Sequence, residues 1–105
     1  MNNKTEQKRI FYGYYRDKDG SIKITESEYS VINLIFLYHA KDRFSLEKIK
    51  DIFEGIRLRA PRGGRTWSRQ TIANILSNHH YIGDETYPQI IAPELFNEAQ
   101  IIRKN

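Results

Sequence analysis

Five arginines lie close together near the middle of the chain, in a segment that contains no acidic residue. Guanidinium groups bind phosphate through paired, charge-assisted hydrogen bonds, so such a segment favours contact with a polyanion. Residues 84–98, by contrast, carry four acids and no base, so the net charge of +4 is unevenly distributed. This concentration is typical of a nucleic-acid-binding surface, and a solvated surface loop is the alternative interpretation. The five residues are Arg57, Arg59, Arg62, Arg65 and Arg69.

The same segment contains two adjacent glycines and the only tryptophan of the chain. Gly63 and Gly64 would let the backbone approach a duplex closely, or would supply a positive φ in a turn. Trp67 can stack on a base or a sugar. The preferred interpretation of Trp67 is a core anchor just before a helix, because a large aromatic ring stabilises a fold most when it is buried.

The helix predicted after this segment exposes residue types that can read bases. Arginine pairs with guanine, glutamine and asparagine pair with adenine, and an alanine methyl can touch the methyl group of thymine. Side chains one turn apart on a helix in the major groove can meet successive bases. A polar, solvated face on a structural helix is the alternative, since the spacer before this helix exceeds the usual length of about 3–4 residues. The candidate reading residues are Arg69, Gln70, Ala73 and Asn74.

A hairpin and a first helix are predicted upstream of these residues. Residues 10–15 are rich in strand-forming aromatics, and residues 22–24 alternate as a return strand after a turn at residues 17–20. Thr25 and Glu28 have the spacing of a capping box, which predicts the start of a helix. That helix is apolar nearly all round, so it should form the centre of the core.

Helix signals recur along the rest of the chain. Ser45 predicts the cap of a second helix, which Gly55 should end. Ser68 predicts the cap of a third helix that runs to about Asn78. Pro93 suits the first position of a last helix, because its missing amide proton costs nothing there.

These elements predict a mainly α fold with small β-hairpins, in the α+β class, around a helix-turn-helix-like helical core. A short extended segment at residues 81–83, paired with residues 89–91, completes the expected secondary structure. The chain length fits one domain. Residues 10–105 are expected to form that domain, and residues 1–9 a flexible tail or linker remnant.

Several kinds of chemistry are not expected. The chain has no cysteine, which excludes disulfides and cysteine-ligated zinc. His79 and His80 are adjacent and make a poor metal pair, and His39 is expected at a helix end rather than as a ligand. No nucleophile elbow, phosphate loop or carboxylate pair is present, so no catalytic centre, metal or cofactor is expected. The longest apolar run, residues 31–38, is far shorter than the ~20 residues that cross a membrane, and a cytoplasmic location is expected.

Four motifs in sequence order resemble the recombinase domain of the large serine recombinases, a family that includes phage integrases and cassette chromosome recombinases. Each motif alone has low specificity, and the order of all four carries the resemblance. It covers about residues 10–103. The motifs are residues 12–17 with 19–20 in the hairpin; residues 61–68, 71–72 and 75–78 across the loop and third helix; residues 81–83; and residues 90–96 with Gln100 in the closing segment.

The resemblance implies sequence-specific binding of double-stranded DNA at one half of an attachment site, in support of integration or excision. It also implies an N-terminal serine catalytic domain and a zinc ribbon as neighbours, which these 105 residues do not contain. The domain itself would be non-catalytic and monomeric in isolation. The implied DNA contacts are Arg62, Gly63, Gly64, Arg65 and Trp67 in the loop, and Ser68, Arg69, Gln70, Thr71 and Asn74 on the reading helix.

Two features depart from the family pattern. Phe11 stands where the family usually has a proline. Residues 84–89 are short and acidic where relatives often have a longer hairpin, so DNA contact by this segment is not expected.

Two further functions fit the same residues. A free-standing helix-turn-helix transcription regulator would dimerise and protect a palindrome, whereas a recombinase domain would bind a half-site as a monomer. A protein-interaction module would use the apolar edges of the first and last helices to dock a partner subunit.

Overall fold

A short hairpin followed by four α-helices forms the fold of residues 10–104, the part of the chain that the computed structural model describes. The tail predicted at residues 1–9 lies outside this part. The mainly α fold with a small hairpin is confirmed, and one two-stranded sheet is present within residues 10–104. The elements are β1 (Tyr14–Arg16), β2 (Ile22–Ile24), α1 (Glu26–Ala40), α2 (Leu46–Gly55), α3 (Arg69–Leu76), a 3-10 helix (His79–Ile82) and α4 (Pro93–Lys104).

The hairpin is antiparallel and is tied directly to α1. Tyr14 pairs with Ile24, so the first strand begins four residues later than the aromatic run suggested. Gly13 has a φ of 106°, and a Cβ there would lie 2.5 Å from the end of Ile32. The Gly13 amide donates to the Glu28 carboxylate at 2.7 Å. Only glycine therefore lets β1 approach α1 this closely.

The predicted capping box at the start of α1 is wrong. Thr25 does stand at the cap position, but its side chain accepts no hydrogen bond from the helix. Glu28 has its carboxylate engaged by the Gly13 amide instead of returning to the Thr25 amide. The contact between the hairpin and α1 therefore engages the carboxylate that the capping box requires.

Helix α1 lies at the centre of the core, as its composition predicts. Ile32, Ile35 and Phe36 are fully buried, and α1 packs against α2, α3 and α4. One side of α1 nevertheless faces solvent, where Leu34 and Leu37 are 36% and 41% exposed. The helix is apolar all round in sequence and buried on only part of its surface.

Helix α2 ends at Gly55, as predicted, but Gly55 does not take the left-handed conformation that usually ends a helix. Gly55 is the last helical residue, and the left-handed position falls two residues later on Arg57, whose φ is 56°. The Arg57 amide donates to the Glu54 carbonyl and the Leu58 amide to the Phe53 carbonyl. This is the hydrogen-bond pattern of a Schellman motif, with arginine where glycine is usual.

The segment after α3 is a 3-10 helix rather than the predicted extended strand. It still meets the predicted partner, because the Tyr81 carbonyl accepts the amides of Ile90 and Ile91. The Tyr81 hydroxyl donates to the Tyr12 carbonyl at 2.6 Å, so this turn also holds the start of the hairpin. The buried Tyr81 therefore connects the start of the hairpin with the segment that precedes α4.

His39 is buried near the end of α1, and its Nδ1 lies 2.8 Å from the Phe44 carbonyl. Residues 10–104 contain no cluster of three histidines or acids arranged to hold a metal ion. None of the helices described in this range is long and apolar enough to cross a membrane.

Candidate nucleic-acid interface

Helices α2 and α3 pack against each other, and a predicted serine caps each of them. The Ser45 hydroxyl accepts the Lys48 amide at 3.0 Å, and the Ser68 hydroxyl accepts the Thr71 amide at the same distance. The buried face of α3 consists of Ile72, Ile75 and Leu76, as its spacing predicts. The opposite face of α3 is therefore turned outward by the fold.

The arginine loop, defined here as residues 56–68, joins these two helices and is fixed at its end by Trp67. The Trp67 ring is 1% exposed and packs on Phe53 of α2. Its indole N–H donates to the Leu58 carbonyl at 3.0 Å, which joins the two ends of the loop. Trp67 is thus a core anchor, and its buried ring is not available for stacking on DNA.

A carboxylate on α2 holds the same position from the other side. Glu54 accepts the Trp67 backbone amide at 2.7 Å and the Lys50 ammonium at 3.3 Å. The Trp67 amide, helped by Lys50, holds the pKa of the Glu54 carboxyl below its usual value of 4.5. The hydrogen bond to Glu54 likewise raises the pKa of Lys50. The residue that precedes the cap of α3 is therefore attached to α2.

The middle of the arginine loop forms a tight turn. The Gly63 amide donates to the Ala60 carbonyl at 2.8 Å, and the Ala60 amide donates to the Gly64 carbonyl at 2.7 Å. Gly63 has a φ of 107°, so the glycine is needed for the turn itself. This geometry explains Gly63 without any bound partner.

The four arginines of the loop project into solvent. Arg57, Arg59, Arg62 and Arg65 are all exposed, and none forms an ion pair with another residue of the described range. Lone arginines on an exposed turn keep their donors free for an external acceptor. The loop can therefore present four guanidinium groups to a polyanion.

The outward face of α3 carries the candidate reading residues. Gln70 and Asn74 are exposed, and the side-chain Nε2 of Gln70 donates a hydrogen bond of 2.8 Å to the side-chain Oδ1 of Asn74. Ser68 and Thr71, by contrast, are engaged in the helix cap, where their hydroxyl oxygens lie 2.9 Å apart. Ala73 is half-buried. Arg69, Gln70 and Asn74 are exposed and take no part in the helix cap, so they are the members of this set that can reach an external partner.

A groove of about 630 Å³ separates the first turns of α2 and α3. Arg69 is 69% exposed in its side chain, and its Nε lies 3.6 Å from a carboxylate oxygen of Glu47 across the groove. The other oxygen of Glu47 lies 3.8 Å from the Lys50 ammonium. The groove is lined by Leu46, Glu47, Lys50, Ser68, Arg69, Gln70 and Ala73.

Three residues of this arrangement were not singled out from the sequence. They are Glu47, Lys50 and Glu54, which the sequence places on α2 without indicating a role in the site. The spacing of Lys50 and Glu54 does indicate an ion pair on one helix face. Their contacts with Arg69 and Trp67 depend on the path of the loop, which local spacing does not encode.

The acidic segment after the 3-10 helix is a turn closed by its own side chains. Asp84 accepts the amides of Thr86 and Tyr87 and pairs with the His80 ring. These hydrogen bonds, that from His80 first, lower the pKa of Asp84 to about 2. The Asp84 carboxylate therefore stabilises the turn through hydrogen bonds to nearby residues.

The part of the chain from α1 to α4 matches a known protein family. A protein-family model described as Recombinase matches residues 26–105, which contain α2, the arginine loop and α3. No curated protein and no solved structure matches the chain. Because the match spans most of the sequence, the chain belongs to the Recombinase family, which connects it with DNA recombination.

Proposed function

We propose that this chain is the non-catalytic DNA-binding domain of a large serine recombinase. In this role α2 and α3 act as a helix-turn-helix, with α3 in the major groove of an attachment half-site. The catalytic serine domain and the zinc ribbon are then partners within the parent recombinase, and the isolated domain is monomeric.

The observation that carries this proposal is the arginine loop leading directly into α3. Four exposed arginines without ion-pair partners in the described range precede a helix whose outer face carries Arg69, Gln70 and Asn74. Phosphate contacts position a protein on a duplex, and contacts to base edges give specificity. Family membership supports DNA as the polyanion.

The assigned contacts divide into two groups. The loop contacts phosphates or the minor groove, and α3 contacts base edges. Trp67 supports the loop from the core, because its ring is buried. The phosphate set is Arg57, Arg59, Arg62, Gly63, Gly64 and Arg65, and the base-reading set is Arg69, Gln70 and Asn74, with Ser68 and Thr71 at the helix start.

A salt titration tests the phosphate contacts. The affinity for a labelled duplex of about 30 base pairs is measured by fluorescence anisotropy over a range of salt concentrations. Three to five phosphate contacts give a slope of log K against log salt of about −3 to −4.5. A variant with alanine at Arg57, Arg59, Arg62 and Arg65 should lose most of this slope.

A matched variant controls for net charge. Alanine at Arg16, Lys18, Lys23 and Arg103 removes the same charge from exposed positions on the hairpin and α4. This control should keep a slope close to that of the wild type. Equal slopes for both variants, or no binding by the wild type at low salt, would contradict the proposal.

Exposed apolar residues favour a protein-interaction module as a second candidate. Leu34 and Leu37 of α1 and Ile101 of α4 are 36%, 41% and 61% exposed. Such a module would bind its partner equally well with or without the four loop arginines, so the same pair of variants separates the two functions.

A further inference from the structure

Arg69 differs from the other arginines of the segment because it has an acidic neighbour. Its Nε lies 3.6 Å from Glu47, whereas the four loop arginines make no ion pair within residues 10–104. Both side chains line the groove between α2 and α3. An acid at this place would repel phosphates, so its presence beside a DNA-binding face needs a separate reason.

Glu47 is also linked to the rest of α2. Its second carboxylate oxygen lies 3.8 Å from Lys50, and Lys50 in turn lies 3.3 Å from Glu54. Glu54 accepts the Trp67 amide, two residues before Arg69. The contacts therefore run from Arg69 on the first turn of α3 through Glu47, Lys50 and Glu54 to Trp67, which precedes the cap of α3, and they place Glu47 opposite the Arg69 side chain.

We propose, on the basis of the function proposed above, that Glu47 positions Arg69 to read guanine, so that this groove recognises a G·C base pair. With Nε facing Glu47, the two terminal nitrogens of the guanidinium remain free for the O6 and N7 atoms of guanine. Holding a long side chain in one orientation lowers the entropy lost on binding. Glu47 is thus a positioning residue that determines specificity.

The gain in discrimination can be bounded from general magnitudes. A good bidentate arginine–guanine contact discriminates roughly 5- to 150-fold against other bases. An exposed ion pair contributes much less, about two- to fivefold. Loss of Glu47 should therefore weaken the guanine preference by about two- to fivefold, while loss of Arg69 should remove it.

Selection from a randomised duplex library tests this inference. The full chain is used to enrich binding sequences, and the base preference at each position is then measured by titration of single duplexes. The variants are Glu47→Gln, Arg69→Ala and the control Asp51→Asn. Asp51 is on the same helix and exposed, and Asp51→Asn removes the same charge without a contact to Arg69.

The expected result is one position with a guanine preference that Arg69→Ala abolishes and Glu47→Gln weakens about two- to fivefold. Both Glu47→Gln and Asp51→Asn should bind all sequences more tightly, and Asp51→Asn should keep the preference. If the Glu47 carboxylate only stabilises the start of α2, Glu47→Gln should lower the unfolding midpoint and leave the guanine preference unchanged. That result would overturn the inference.

Failure of the underlying function has a different signature. If the wild type enriches no sequence and shows no salt-dependent binding, the proposed DNA-binding function fails, and this inference fails with it. If the wild type enriches a site but no position responds to Arg69→Ala, only the inference about Glu47 and Arg69 is overturned.

Discussion

Arg57 combines a strained backbone with an exposed charge. Its φ of 56° is in the left-handed region, which costs a residue other than glycine roughly 1–2 kcal/mol. Arg43, after α1, has a φ of 60° and is also exposed, but it lies outside the arginine loop. The two arginines therefore share the backbone conformation and differ in the proposed DNA contact.

Replacing either residue by glycine should separate fold from function. Glycine relieves the left-handed strain but costs about 0.4–1 kcal/mol by loosening the unfolded chain, so Arg57→Gly and Arg43→Gly should each be stabilised by up to about 1.6 kcal/mol. Only Arg57→Gly should also weaken DNA binding. Urea midpoints and anisotropy titrations measure the two effects, and equal loss of binding by both variants would contradict the assignment of Arg57.

The helix starts that depend on neighbouring residues were predicted correctly, and the capping box at the start of α1, whose carboxylate binds a distant residue, was not. Ser45, Ser68 and Pro93 act within their own first turn, so their sequence neighbours are sufficient. The box of Thr25 and Glu28 failed because the Gly13 amide of the hairpin takes the carboxylate. Whether such a capping box forms depends on competing tertiary contacts, so it cannot be predicted from the neighbouring residues alone.

The candidate site divides in the same way. The arginines and the outward face of α3 follow from charge distribution and from a period of 3.6 residues, so their placement was predicted. The hydrogen bond from Trp67 to Glu54 joins residues 13 positions apart through an irregular loop. No periodic pattern spans such a loop, and the supporting residues Glu47, Lys50 and Glu54 were therefore missed.

The attachment of the loop end to α2 should depend on pH. The pKa of Glu54 is lower in the folded chain than its usual value of 4.5. The stabilisation from its charge is therefore complete above pH 4.5 and disappears as the pH falls through the lower folded pKa. Glu54→Ala should lower the urea midpoint at neutral pH, and part of this difference should vanish in acid.

Far-UV circular dichroism suits this measurement, because Trp67 fluorescence responds to the mutated contact itself. Asp51→Ala is the control, since Asp51 is on the same helix and 64% exposed in its side chain. Its midpoint should stay close to that of the wild type. A difference between Glu54→Ala and the wild type that stays constant between pH 7 and pH 3 would rule out a contribution from the charge of Glu54.

At the scale of the whole molecule, the hairpin belongs to the same core as the helices. Tyr14 is 5% exposed, stacks near Tyr81 and donates a hydrogen bond to the Pro88 carbonyl at 2.7 Å. The hairpin also supplies the carbonyl of Tyr12 to the Tyr81 hydroxyl. The family match begins at residue 26 and so omits residues that fill the core.

A segment limited to the family match should be far less stable than residues 10–105. Loss of the hairpin leaves the Tyr81 hydroxyl and the Glu28 carboxylate without their partners, and each costs about 1–3 kcal/mol of stability. It also removes the buried Tyr14 ring, which costs about 3–5 kcal/mol. Such a sum approaches the total stability of a small domain. Thermal melts followed by circular dichroism compare the two segments. Similar melting temperatures would show that the hairpin is dispensable.

The exposure of the α3 face has a practical consequence for protein engineering. Arg65, Gln70 and Asn74 contribute nothing to the buried core, whereas Ile72, Trp67 and Glu54 hold α3 in place. Exposed positions of this kind tolerate substitution within about 0.5 kcal/mol. Libraries that randomise the exposed set alone should consist mostly of folded members. If α3 reads DNA as proposed, retargeting the domain to a new sequence therefore requires selection for binding and no repair of the scaffold.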